Sequence, residues 1–119
     1  MTIKVISDSI SCEQVVTLAG ETYGEMVKAV VDVNKEILAI GGELHADAES
    51  QLLNEGSEQS GLWGINIYPG KPENERIQYT SMINIRPRQG NRSLEIKDAV
   101  LRAKIKRIVD KRIKWQDYG

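Results

Sequence analysis

The residue types that could do chemistry fall in two short stretches. The chain's single histidine, His45, follows Gly41-Gly42-Glu43-Leu44, and residues 86–93, RPRQGNRS, hold three arginines and a Gly-Asn pair. The planar guanidinium forks of Arg86, Arg88 and Arg92, with Asn91, suit a carboxylate or a phosphate. Open backbone around Gly90 and the start of the following helix would add N–H donors toward an anion. An imidazole titrates near neutrality, so His45 could serve there as a general acid or base. Glu43 and His45 share one strand face if that strand runs on, and Asn84 and Arg86 share a face on theirs. The expected ligand site is therefore His45, Asn84, Arg86, Asn91 and Arg92, with His45 as the one catalytic candidate. The competing explanation is structural: Arg86 and Arg92 pair with Glu43 or Asp47, and those bonds order the loop.

Other chemistries have less to work with. Glu43-x-His45-x-Asp47 could place three metal-ligand types on one strand face. With one histidine such a site would be oxygen-rich and would prefer a hard cation to zinc. Asp47 is better explained as a helix cap, so no metal and no cofactor are expected. None of the serines lies in a G-x-S-x-G elbow. Ser93, nearest the arginines, reads as a loop or capping hydroxyl. The arginine loop has too few glycines for a Walker or dinucleotide motif. Cys12 falls in a first helical turn, where a dipole favours a thiolate, but a small capping-turn residue is the simpler account.

These residues must be positioned by a small set of elements. Met26–Val33 and Glu36–Gly42 are Val- and Ile-rich runs separated by Asn34-Lys35, which reads as a β-hairpin. Thr2–Ile6 is a candidate edge strand. Ser11 with Gln14 forms a capping box, and Val15, Val16, Leu18 and Ala19 continue a helix that stops near Gly20 to Gly24. Asp47 should cap a second, short helix over AESQLLN, ending before Gly56. Leu62–Tyr68 alternates, with Trp63, Ile65 and Ile67 on one face and Leu62, Gly64, Asn66 and Tyr68 on the other. Arg76–Arg86 is expected to return as its hairpin partner, in a register that keeps Asn66 and Asn84 several residues apart. Asp98 should cap the last helix, whose buried stripe is Leu101, Ile105, Ile108, Val109 and Ile113. Trp115 and Tyr118 close the chain, either folded back on the body or frayed.

The chain has 119 residues, 40% hydrophobic and 28% charged, with no Phe and one Cys. That length implies one domain with a core that needs no disulfide. No apolar run nears the ~20 residues of a membrane span, and no signal-peptide pattern opens the chain. A cytoplasmic location is expected. The formal net charge of −1 conceals segregation: residues 1–85 carry 5 basic and 13 acidic groups, residues 86–119 carry 11 and 4. An acidic sheet layer beside a basic helix would cancel much of this. The rival explanation is a nucleic-acid face formed by Arg102, Lys104, Lys106, Arg107, Lys111, Arg112 and Lys114. The acidic overall balance and the scarcity of interleaved aromatic rings argue against nucleic acid as the partner.

The runs Ala29–Val33 (AVVDV), Ala39–Asp47 (AIGGELHAD), Trp63–Pro69 (WGINIYP) and Ile83–Ser93 (INIRPRQGNRS) resemble a family of small bacterial proteins of unassigned function. The resemblance covers nearly the whole chain. Similar proteins often start the last helix with Asp-Pro, where this sequence has Asp98-Ala99. The family implies no activity or catalytic residue. Residues and resemblance together predict an α+β domain over 1–119: a mainly antiparallel sheet of four to five strands from two hairpins, and three helices, the long C-terminal one packed on a sheet face. The expected function is a small binding or interaction module with an anion-binding corner, its partners a small anionic ligand, another protein or a second copy. A small hydrolase using His45 with arginine anchoring of its substrate, and an RNA-associated protein using the last helix, are the alternatives.

Overall fold

A computed structural model describes residues 2–115. The chain runs β1 (Ile3–Ile6), β2 (Ile10–Ser11), α1 (Cys12–Gly20), β3 (Val27–Asp32), β4 (Ile37–Gly41), α2 (His45–Asn54), β5 (Leu62–Ile67), β6 (Ile77–Gln78), α3 (Ala99–Arg112) and β7 (Ile113–Lys114). This is the expected α+β architecture. One antiparallel sheet has the order β1-β4-β3-β5-β6, with the hairpin strands β3 and β4 inside it. Separately, β2 and β7 pair in parallel, setting Ile10 beside Ile113.

Strand alternation assigns the two faces. Val27, Ala29 and Val31 of β3 join Trp63, Ile65 and Ile67 of β5 on one face, under Val15 and Leu18 of α1 and Ile105, Ile108 and Val109 of α3. Val30, Ala39 and Leu62 line the opposite face under Ala48 and Leu52 of α2. The two long inner strands are largely apolar on both sides because both faces are mostly covered. Local signals set the starts of α1 and α3. Ser11 and Gln14 form the capping box of α1, and the Asp98 carboxylate accepts from the amides of Val100 and Leu101. Such caps each contribute about 1 kcal/mol.

Five expectations are corrected. The hairpin link is a four-residue turn, not Asn34-Lys35 alone. Buried Asp32 accepts from the Asn34 and Lys35 amides at 2.9 Å each, and Glu36 takes the positive φ of 58°. The second strand does not run on to His45. It stops at Gly41, whose φ is 114° and where a Cβ would lie 2.1 Å from the Thr2 carbonyl oxygen. Helix α2 starts at His45 with Leu44 as an N-cap lacking a side-chain bond, so Asp47 is not its cap. Strand Arg76–Arg86 survives only as Ile77–Gln78, after which the chain crosses the sheet and forms a 3₁₀ turn at Met82–Asn84. There the Asn84 amide pairs with the backbone N–H and C=O of Gly64 at 2.8 and 2.9 Å, a side chain standing in for a strand. Asn84 therefore reaches β5 two residues from Asn66, closer than the expected register allowed. Finally, the last helix ends at Arg112, and Ile113 is buried in β7.

Trp115 folds back. Its indole donates to Asp110 at 3.0 Å, and the Arg76 guanidinium lies 4.2 Å from its ring centroid. Tyr118 lies outside the described residues.

Candidate functional site

The crossing at residues 80–85 decides what is left open on the α2 face. Gly64 permits it: a Cβ there would meet the Ser81 Cβ at 2.5 Å and its Oγ at 2.7 Å. The segment covers β5 at Gly64 but leaves the next inward pair, Lys28 and Asn66, beyond its edge. Those two residues are direct register partners between β3 and β5. Helix α2 begins beside them. A cavity of about 550 Å³ results.

Its walls are Leu44, Met82, Ile83 and Leu94, and its polar groups are Lys28, His45, Asn66, Thr80 and Ser81. Leu44, Met82 and Leu94 are 58%, 78% and 44% exposed, so the mouth is apolar and open to solvent. Four features make its polar end unusual. Burial lowers the Lys28 pKa, and among the described residues no carboxylate lies in ion-pair range of its ammonium, which sits 5.3 Å from the Tyr23 ring centroid. Tyr23 in turn donates its hydroxyl to the Glu43 carbonyl, fixing the chain just before α2. The start of α2 has no side-chain cap, and Leu44, His45 and Ala46 border the cavity. Asn66 is 7% exposed; its amide nitrogen donates to Gln78 at 2.8 Å and to the Thr80 carbonyl at 3.4 Å, while its Oδ1 is buried without a hydrogen-bond partner.

His45 is the fourth. Its Nε2 lies 2.7 Å from the Ile65 carbonyl. A carbonyl only accepts, so Nε2 carries the proton and Nδ1 of the neutral ring is an acceptor. Burial pulls the His45 pKa down to about 4; the Ile65 carbonyl opposes this, the Lys28 charge adds to it, and Asn66 opposes it. The ring is thus neutral at physiological pH.

The arginine loop lies on the other side of the crossing. A second cavity of about 560 Å³ is bordered by Glu49, Arg86, Arg88 and Gln89 and shares Met82 and Ile83 with the first. His45 and Arg86 therefore open into neighbouring cavities. Arg86 is bound up by its own chain: it donates to the carbonyls of Ile83 (3.0 Å) and Gln59 (2.7 Å), pairs with Glu49 at 3.4 Å, and stacks 4.7 Å from the Trp63 centroid. Its ion partner is Glu49, where the sequence offered Glu43 or Asp47. Burial lowers the Arg86 pKa, and Glu49 opposes that. Asn84 spends its amide protons on Gly64 and Leu94. Asn91 donates to the carbonyls of Asn84, Ser93 and Glu95, and accepts from the Lys97 amide. Both asparagines are buried, whereas Arg88 and Arg92 are exposed.

Glu43, His45 and Asp47 do not share a strand face, since α2 begins between them. Among the described residues no group of three His, Cys, Asp or Glu side chains is placed to hold a metal ion. No described helix is long and apolar enough to cross a membrane. Sequence reasoning does not find Lys28 as a site residue: it is one of two charges, with Asp32, in the run VKAVVDV, and nothing local sets it apart. Strand alternation places Asn66 on the face it occupies but does not reveal the cavity there.

The molecule belongs to the class of small α+β domains with a sheet sandwiched between helices and a pocket at one uncovered sheet end. Within that class, the chain belongs to the family described as Protein of unknown function (DUF5674), whose model matches residues 4–112. No curated protein and no solved structure matches it.

Proposed function

We propose that this protein is a small-ligand binding module, and that the cavity at Lys28, His45 and Asn66 takes a small acid with an apolar body. One observation carries this: a partly buried ammonium with no carboxylate partner among the described residues borders an otherwise largely apolar hollow. Even partial burial of a charge without a counter-charge is unfavourable, and an anionic head group would supply one. The uncapped start of α2 favours the same sign of charge. The apolar walls fit the ligand's hydrocarbon body, in the usual pattern of a mostly apolar pocket with a few convergent polar groups. This moves the anion-binding corner from Arg86, Asn91 and Arg92 to Lys28, and keeps His45.

A hydrolase is less well supported. A histidine held near pKa 4 is a weak base at neutral pH, and Ser81 Oγ is engaged by the Ile83 amide at 3.2 Å. An RNA role also loses force, because α3 spends charge within the fold: Lys106 pairs with Glu73 at 3.1 Å, Lys111 with Glu36 at 3.2 Å, and Arg102 with Glu95 at 3.2 Å. The test is a proton–nitrogen NMR titration with isocaproate, with acetate as the short-chain control. Saturable shifts at residues 28, 44–46, 66, 80–83 and 94 are expected, stronger for isocaproate, and abolished by Lys28→Met. Binding that survives Lys28→Met, or shifts centred on 86–92, would overturn the assignment.

A further inference from the structure

Resting on the ligand class just given, we infer that the acid carries a hydrogen-bond donor next to its carboxylate, as an α-hydroxy or α-amino acid does. Asn66 presents a buried acceptor that has no donor. Asn66 is more than nine-tenths buried, and its orientation is fixed because Nδ2 is held by Gln78 and by the Thr80 carbonyl. Its Oδ1 is left buried and without a partner. A buried acceptor without a donor is a standing cost that native structures rarely carry. His45 also lines the cavity, and because the Ile65 carbonyl holds the proton on Nε2, its Nδ1 is an acceptor. A plain carboxylate can satisfy neither, because it too only accepts.

Spacing supports an adjacent donor. Lys28 and Asn66 face each other across the β3–β5 ladder, and such cross-strand partners have Cβ atoms about 5 Å apart. A ligand whose carboxylate lies against the ammonium therefore presents its α-substituent toward Asn66. An α-hydroxyl donates once. An α-ammonium donates to Oδ1 and also to His45 Nδ1. The side chain of the acid then points to Leu44, Met82, Ile83 and Leu94.

The experiment compares isocaproate, α-hydroxyisocaproate and L-leucine by calorimetry on the full chain, three acids with the same hydrocarbon body. The α-substituted acids are expected to bind about tenfold more tightly than isocaproate, the worth of one hydrogen bond to a buried acceptor. Asn66→Leu should bring α-hydroxyisocaproate down to the level of isocaproate. Asn66→Asp, which keeps the size, should turn the preference toward leucine and its ammonium. Because each readout is a ratio of two ligands on one protein, a general loss of stability does not imitate it. Equal affinities for all three acids on the wild type would overturn this inference and leave the acid-binding site standing. Binding of none would overturn both. A preference for the α-substituted acids unchanged in both Asn66 variants would also overturn it.

Discussion

A histidine that stays neutral in the fold and ionises in the unfolded chain makes stability depend on pH. His45 titrates near 4 in the fold against an ordinary 6.5. Its contribution is therefore complete above pH 6.5 and is lost as pH falls toward 4, on the order of 3 kcal/mol in all. Urea midpoints measured down this range should fall, and His45→Gln should flatten that acid limb; an equally steep limb in the variant would assign the effect elsewhere. Gly64 makes a steric prediction. Gly64→Ala puts a methyl 2.5 Å from Ser81 Cβ and 3.1 Å from Ile83 Cγ1, so thermal unfolding should show a loss of about 1–3 kcal/mol and the amide signals of 80–85 should move. At this scale the sequence was half legible. His45 stood out as the only histidine, and strand alternation put Asn66 on the correct face. Lys28 was not legible, because whether an inward lysine is covered depends on where a distant crossing falls, and no local pattern encodes that.

Elements with their own start signals were legible, and elements shaped by distant partners were not. Ser11–Gln14 and Asp98 bond to amides within three residues, so sequence spacing sufficed. The stretch Arg76–Arg86 alternates like a strand but lacks strand hydrogen bonds for most of its length. Asn84 finds Gly64, twenty residues back, and Ser81 caps its own turn. Helix α2 begins two residues ahead of its best capping residue because the glycine turn after β4 sets the direction of the chain. Arg86 then ties three elements together: Glu49 of α2, the Gln59 turn and the Trp63 ring of β5. Glu49 and Arg86 side chains are only 13% and 10% exposed. Arg86→Ala should cost about 3 kcal/mol, since it strands the carboxylate, and the Arg86→Met, Glu49→Gln double variant should recover much of that in denaturant unfolding. A double variant no better than Arg86→Ala would locate the energy in the stacking and carbonyl contacts instead.

For the whole molecule, the division of charge along the sequence was the most informative feature. It anticipated a basic helix laid against an acidic body, and the pairs of Lys106 with Glu73 and Lys111 with Glu36 are of that kind. They are exposed, so they orient α3 more than they hold it; Ile105, Ile108 and Val109 supply the burial. What composition gave no sign of was the β2–β7 ladder, because two-residue strands leave no periodicity to detect. That ladder has a kinetic consequence. Ile10 and Ile113 are neighbours in space but are separated by almost the full length of the chain, so closing that loop is among the most entropically costly contacts to form early. The two should meet after the transition state. Ile113→Ala should then speed unfolding and leave the folding rate nearly unchanged, giving a φ-value near zero by stopped-flow. The small parallel pair would act as a late-closing clasp that sets how long the native state lasts, with little influence on how fast it is reached.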